Sequence, residues 1–131
     1  MMNRTTISFT LLRIVAGILF FSHGAQKLFG WFGGFGPNGG TVNLMSLMGA
    51  AGVIEVVAGI GIALGLATRP LAFIASGEMA VAYFWSHTRR SNSIWWWENG
   101  GEVAMLYCFL WLYVSASGAG RVSLDALLGR R

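Results

Sequence analysis

The sequence predicts an all-α fold: an integral membrane four-helix bundle made by a single domain. Three observations lead there. Charged residues are only 11% of the 131-residue chain, where soluble domains carry roughly 25%. Hydrophobic residues reach 55% and mean hydropathy is +0.61, which leaves too little polar side chain to cover a water-soluble globule. The apolar residues gather into four segments at or near the length of about 20 residues that a membrane helix needs. The same composition excludes a disordered chain, a collagen-like chain and a disulfide scaffold.

The first segment, residues 7–29, follows Arg4 and holds Arg13, His23, Gln26 and Lys27. It mimics a secretory signal, with small residues around Ser22-His23-Gly24-Ala25. Arg13 breaks its apolar core and no polar mature start follows, so it reads as a retained span. The turn-rich stretch Gly33 to Gly40 leads to the second segment, 44–68, whose one charge is Glu55. Thr68-Arg69-Pro70 is a tight link that puts proline in the first turn of the next helix. The third segment, 71–87, contains Glu78, and Ser86 to Gly101 reads as a polar and aromatic loop. The fourth, 102–117, ends at Gly118-Ala119-Gly120. Residues 121–131 read as a short amphipathic tail with Ser123 as its N-cap. The third and fourth segments are short, which suits a tight bundle.

A net charge of +4 and a pI near 10.0 would point to nucleic acid in a soluble protein. Here the nine basic residues are scattered singly or in pairs and form no basic stripe, so no nucleic-acid partner is expected. Four spans put both termini on one side, with Arg4, Arg69, Arg121, Arg130 and Arg131; the other side holds Lys27, Arg89 and Arg90. That excess favours cytoplasmic termini. Trp31, Trp85, Trp95, Trp96 and Trp97 then gather at the outer interface, where indole rings prefer to lie. Cys108 is the single cysteine, so an internal disulfide or dithiol pair is excluded. It reads as a packing residue, as do the six methionines.

Ionisable side chains inside a span are costly, and each is a candidate for function. Counting about 1.5 Å per residue, His23, Lys27, Glu55, Glu78, His87, Glu98 and Glu102 converge on the outer half of the bundle, with Arg13 alone toward the inside. His23 and Lys27 lie one turn apart on one helical face. Gly52, Glu55 and Gly59 share a stripe whose small residues let a neighbouring helix approach, so Glu55 should face protein. The least costly pairing sets Glu55 and Glu102 against Lys27 and His23, and Arg13 against Glu78. Catalytic candidates are therefore Glu55, Glu102 and His23; ligand-binding candidates are Arg13, Lys27, Glu78 and Trp85. Every one also has a structural reading: ion pairs that lock the bundle, or side chains that mark the interface. No P-loop, G-x-G-x-x-G, H-E-x-x-H or C-x-x-C occurs, and no metal is expected.

One ordered set of short motifs remains. Leu12-Arg13 and Gly17 are followed by His23-Gly24, Lys27-Leu28 and Gly30, then Glu55. Gly65-Leu66-Ala67-Thr68-Arg69 comes next, then Asn99-Gly100-Gly101-Glu102, and finally Gly118-x-Gly120-x-x-Ser123-x-Asp125. In this order and spacing the chain resembles the DoxX family of small four-helix bacterial membrane proteins. Ala119 departs from the family's usual proline between the two glycines, a matter of helix termination. The resemblance implies a bacterial inner membrane location, multi-pass, and an association with quinone or thiol oxidoreduction.

Two functions of different class are open at this point. The chain is a membrane subunit that binds quinone or another small redox compound, acting in an oxidoreductase with a partner protein. Phe20, Phe84, Trp85 and Phe109 would be walls, His23 and Lys27 donors, and Glu55 or Glu102 a proton relay. Alternatively it is a non-catalytic membrane anchor or scaffold for a redox enzyme. A small transporter is a third, weaker reading that would need a homodimer. The lipid bilayer is a partner in all three.

Overall fold

The structure, a computed structural model, describes residues 2–130. Arg131, one of the terminal basic residues counted above, lies outside them. Every regular element described is helical, apart from a single bridge between Phe35 and Gly40. Helix α1 runs Arg4–Phe29, α2 Leu47–Leu64 and α3 Thr68–Val81. A π-helical turn, Ala82–His87, continues α3 into α4, Thr88–Ser91. Then come α5, Trp96–Asn99, α6, Glu102–Ser117, and α7, Leu124–Leu127.

Local chemistry sets these ends. Asn3 caps α1 by accepting the Thr6 amide at 2.8 Å, and Ser46 caps α2 by accepting that of Gly49 at 3.1 Å. Several boundaries differ from the hydropathy reading. Helix α1 starts at Arg4 instead of residue 7, α2 ends at Leu64 instead of 68, and α3 starts at Thr68 instead of 71. The expected loop from Ser86 to Gly101 contains α5. Ser46 holds the start of α2 at Leu47 rather than near residue 44. The third helical run continues past residue 87 to Ser91, where Asn92 turns left-handed at φ 56°. Hydropathy fades in that last stretch, but hydrogen bonding does not: the Thr88 and Ser91 hydroxyls donate back to the Tyr83 and His87 carbonyls. The C-terminal tail is helical only over Leu124–Leu127, opened by Ser123, which accepts the Ala126 amide.

Helix α1 packs chiefly along α2, α3 along α6, and α2 more lightly against α3. Aromatic contacts bridge α1 to α6. Phe20 lies 5.2 Å from Tyr107 and 5.3 Å from Trp111, ring to ring, and Phe9 meets Tyr113 at 6.2 Å. The core is aromatic and small-residue by turns, with Phe20, Ile62, Trp111 and Val114 between Ala58, Ala72, Ala75 and Ala104. Helices α1 and α2 are long and apolar enough to cross a membrane, and α6 is apolar but shorter.

One end of the fold is closed by its C-terminal segment. Arg13 is buried and donates to the Ile62 and Ala63 carbonyls at 2.6 and 2.8 Å, and to Val122 at 2.7 Å. It thus binds the carbonyl end of α2, where acceptors are left over and the helix dipole is negative. The expected pairing of Arg13 with Glu78 is not formed. Gly65, at φ 71°, ends α2 beneath this clasp, and a Cβ there would fall 2.4 Å from Ser123 and 2.9 Å from Arg13 Nη1. Arg69 ties the start of α3 to the Ser115 and Ala116 carbonyls at the end of α6.

Asp125 completes the clasp. Helix α3 has no capping side chain of its own, and Asp125 supplies one from 57 residues away, accepting the Ala67 and Thr68 amides at 2.9 Å each. Burial alone would raise this carboxyl, but the two amide bonds and the charge of Arg130 outweigh it, so its pKa lies below the ordinary carboxylate value. The stabilisation is therefore full above the unfolded carboxyl's pKa of about 4 and is lost as pH falls through the lower folded value. Asp125→Ala should cost about 1–2 kcal/mol at neutral pH. Thermal unfolding in detergent should show the gap to wild type close in strong acid; a gap that persists there would mean the carboxylate is not what stabilises.

Candidate functional site

At the opposite end from the clasp, the α1–α2 pair and the α3–α6 pair separate around a cavity of about 1140 Å³. Its walls are mainly apolar, and His23, Lys27, Glu55, Glu78, Trp85, His87 and Tyr107 all reach it. A cleft this size slightly exceeds the roughly 300–1,000 Å³ that small-molecule and cofactor sites occupy.

The central feature is the ion pair. Lys27 Nζ donates to both carboxylate oxygens of Glu55 at 2.7 Å, with side chains 12% and 2% exposed. Close helix approach makes this reach possible. A Cβ on Gly24 would fall 2.7 Å from the Gly52 carbonyl oxygen, and one on Gly52 would fall 3.2 Å from Lys27 Cβ. Gly52 thus leaves room for the Leu28 side chain and for the base of the lysine stem, as the small-residue stripe on α2 suggests. The Lys27 carbonyl also accepts the Val42 amide at 2.9 Å, seating the Gly-rich loop over this end of α1.

Glu78 comes from α3 into the cavity that Glu55 also lines, and not toward Arg13. No donor among the described residues reaches the buried Oε2 of Glu78. Two carboxyls and one ammonium thus line the same cavity, and the ammonium directs its hydrogen bonds to Glu55. His23, one turn before Lys27, opens onto the same cavity with its ring edge-on to Tyr107 at 6.2 Å. Tyr107 in turn stacks on Trp111 at 5.7 Å.

At the mouth, Trp85 is exposed with the Arg89 guanidinium 4.3 Å over its ring, a cation–π contact. His87 Nδ1 lies 3.2 Å from the Asn99 carbonyl oxygen. Trp95 and Trp97 stack face to face at 4.8 Å, and Trp96 meets both edge-on.

The cavity gathers five of the seven expected site residues: His23, Lys27, Glu55, Glu78 and Trp85. Arg13 belongs to the clasp. Glu102 is exposed at the first turn of α6 and is not part of the cavity wall. Its motif is architectural instead. Asn99 Oδ1 accepts the Gly101 amide at 2.7 Å, and a Cβ on Gly101 would fall 2.7 Å from the Tyr83 ring. Of the four aromatic walls expected, Phe20 and Trp85 line the cavity, whereas Phe84 and Phe109 are 59% and 65% exposed and point away. Tyr107 takes their place. It was not singled out from the sequence because α6 is apolar on every side; its i, i+4 spacing to Trp111 is the one signal it carries. Among the described residues no group of three or more His, Cys, Asp or Glu is placed to hold a metal ion.

Comparison with known proteins gives the lineage. Residues 8–88 match the DoxX family model, a stretch that includes Arg13, His23, Lys27, Glu55 and Glu78. An uncharacterised protein of Haemophilus influenzae is 45% identical over 116 residues, covering 87% of this chain and 85% of that one. No solved structure matches. The chain belongs to the DoxX family and is a membrane protein.

Proposed function

We propose that the four long helical segments cross a bacterial inner membrane with both termini cytoplasmic, and that the cavity binds quinone or a related small redox compound for a membrane oxidoreductase. The exposed apolar face of α1, with Leu11, Leu12, Val15, Ile18 and Leu19, supports the first part, since a bilayer would cover it. One observation carries the second: a large apolar cavity holds a lysine, a histidine and two carboxyls together. Intramembrane ionisable groups in such a cluster are costly and mark sites of ligand or proton handling.

The residues fit a quinone. Its ring needs apolar walls, which Phe20, Tyr107 and Trp85 offer. Its carbonyls need donors. Lys27 Nζ has three hydrogens and directs two of them at Glu55, so one remains for a ligand. His23 can supply a second donor from the same face of α1. When bound, a quinone carries electrons and protons together; this chain's part is to hold the ring and pass a proton along Glu55 and Glu78. That pair takes the relay role first given to Glu55 or Glu102.

Binding of a benzoquinone analogue to the purified protein in lipid nanodiscs, followed by tryptophan quenching, tests the proposal. His23→Ala should weaken binding by about tenfold, the loss of one good hydrogen bond. Equal binding by wild type and His23→Ala would take the donor role from His23; no binding by either would remove the ligand role. The polar cluster would then be a helix clasp, and the chain a membrane anchor for a redox enzyme.

A further inference from the structure

We propose that the ligand of this cavity is a membrane-dissolved amphiphile whose hydrocarbon tail leaves sideways through a slot between α2 and α3. This rests on reading the cavity as a ligand site, and goes on to choose between a small water-soluble compound and a tailed lipid-phase one.

The slot follows from how the two helices part. Beside their short link they are in tight contact, and a Cβ on Gly61 would fall 2.3 Å from Leu71 Cδ1. Further along they separate: a Cβ on Gly77 would meet nothing within 4 Å. Gly77 is both exposed and part of the cavity wall. Ile74 and Val81, at three and four residues from it, share its helical face and the same two properties. Across the gap, Leu47 and Ala50 of α2 are likewise exposed and cavity-lining, and Ile54 lies deeper on that wall. The cavity is therefore open along its α2–α3 side.

The chemistry of the slot changes along its depth. Both walls are apolar at the outer face. At the inner end stands Glu78, adjacent to Gly77 in sequence, and behind it the Lys27–Glu55 pair. In a bilayer such an opening meets acyl chains, not water, because a route for a hydrated solute would need polar groups to replace its hydration. An apolar channel that ends at hydrogen-bonding groups matches a molecule with a polar ring and a hydrocarbon chain. The absence of a side chain at Gly77 leaves room for that chain, even though glycine within a helix is less stable than alanine.

The test compares a decyl-tailed benzoquinone with tail-less tetramethylbenzoquinone, binding each to the protein in phosphatidylcholine nanodiscs with lipid partitioning subtracted. Wild type should bind the tailed compound at least about tenfold more tightly, because its tail packs against the fixed walls of the slot instead of fluid acyl chains. Gly77→Phe fills the slot from α3, and Ala50→Phe narrows it from α2 in case the first variant folds poorly. Either should remove that preference while leaving the tail-less compound within about twofold of wild type. If wild type binds both and the variants keep the preference, the slot is wrong while the quinone reading survives. An equal loss of both compounds would also reject the slot, since the plug would then be acting on the ring site. If wild type binds neither compound, the quinone reading itself fails, and this inference with it.

Discussion

Lys27→Gln is expected to destabilise the protein by about 3–5 kcal/mol, the range seen when one partner of a buried ion pair is removed. The cost comes from what is left behind. Glu55 is 1% exposed, and without Lys27 it would sit in the apolar cavity that Glu78 also lines, with no cation. Glu55→Gln should cost less on its own, and in the double variant much of the Lys27→Gln penalty should disappear. A double-mutant cycle, read from reversible unfolding in mixed micelles, gives the coupling directly. Additive effects would show that the pair contributes nothing as a pair and that the cluster is held by packing alone.

Gly59→Val should be comparably severe, costing about 2–4 kcal/mol by overpacking. At Gly59 even the first added carbon would lie 2.5 Å from the Phe21 nitrogen and 2.8 Å from the Gly17 carbonyl oxygen. The contact is reciprocal, since a Cβ on Gly17 would fall 2.8 Å from the Ala63 nitrogen. These atoms are backbone, so neither helix can yield without moving as a whole. Separation of α1 from α2 would also draw Lys27 away from Glu55, so ligand binding should fall together with stability. Gly77→Ala is the control within the same protein. Its Cβ meets open space, and it should be neutral or stabilising by up to about 1 kcal/mol. If melting temperatures showed the two positions to be equally tolerant, the close α1–α2 crossing would be wrong.

The sequence was most informative where chemistry and spacing acted together. The pairing of Lys27 with Glu55 could be read because both are costly in an apolar segment and the small residues around Glu55 announce a close helix neighbour. The partner of Arg13 could not. A search for opposite charges led to Glu78, whereas the guanidinium is held by carbonyls at the end of α2, which leave no mark in side-chain composition. Glu78 escapes the same rule for the complementary reason: it shares its cavity with another carboxyl, an arrangement that pairing of opposites never proposes. Glu102 was placed by depth alone, and depth does not say which way a helix is turned. The same ambiguity hid Tyr107 and gave Phe84 and Phe109 a place in the cavity that they do not have. On α6 the apolar residues surround the helix, so no stripe identifies its inner face. The role of Asp125 as a cap for α3 needed the fold, because residue and helix start are joined only by the return of the C-terminus to the α2–α3 link.

If the cavity around Lys27 and Glu55 serves a ligand, it is occupied in the cell and is not merely a gap between helix pairs. Native mass spectrometry of the protein, extracted gently from its own membrane, addresses this without choosing the ligand in advance. A bound mass in the quinone range is expected on wild type, and its loss from His23→Ala while the chain stays folded. A bare wild-type chain, or one that carries only a soluble protein partner, would contradict it and leave the polar cluster as a clasp in a membrane anchor.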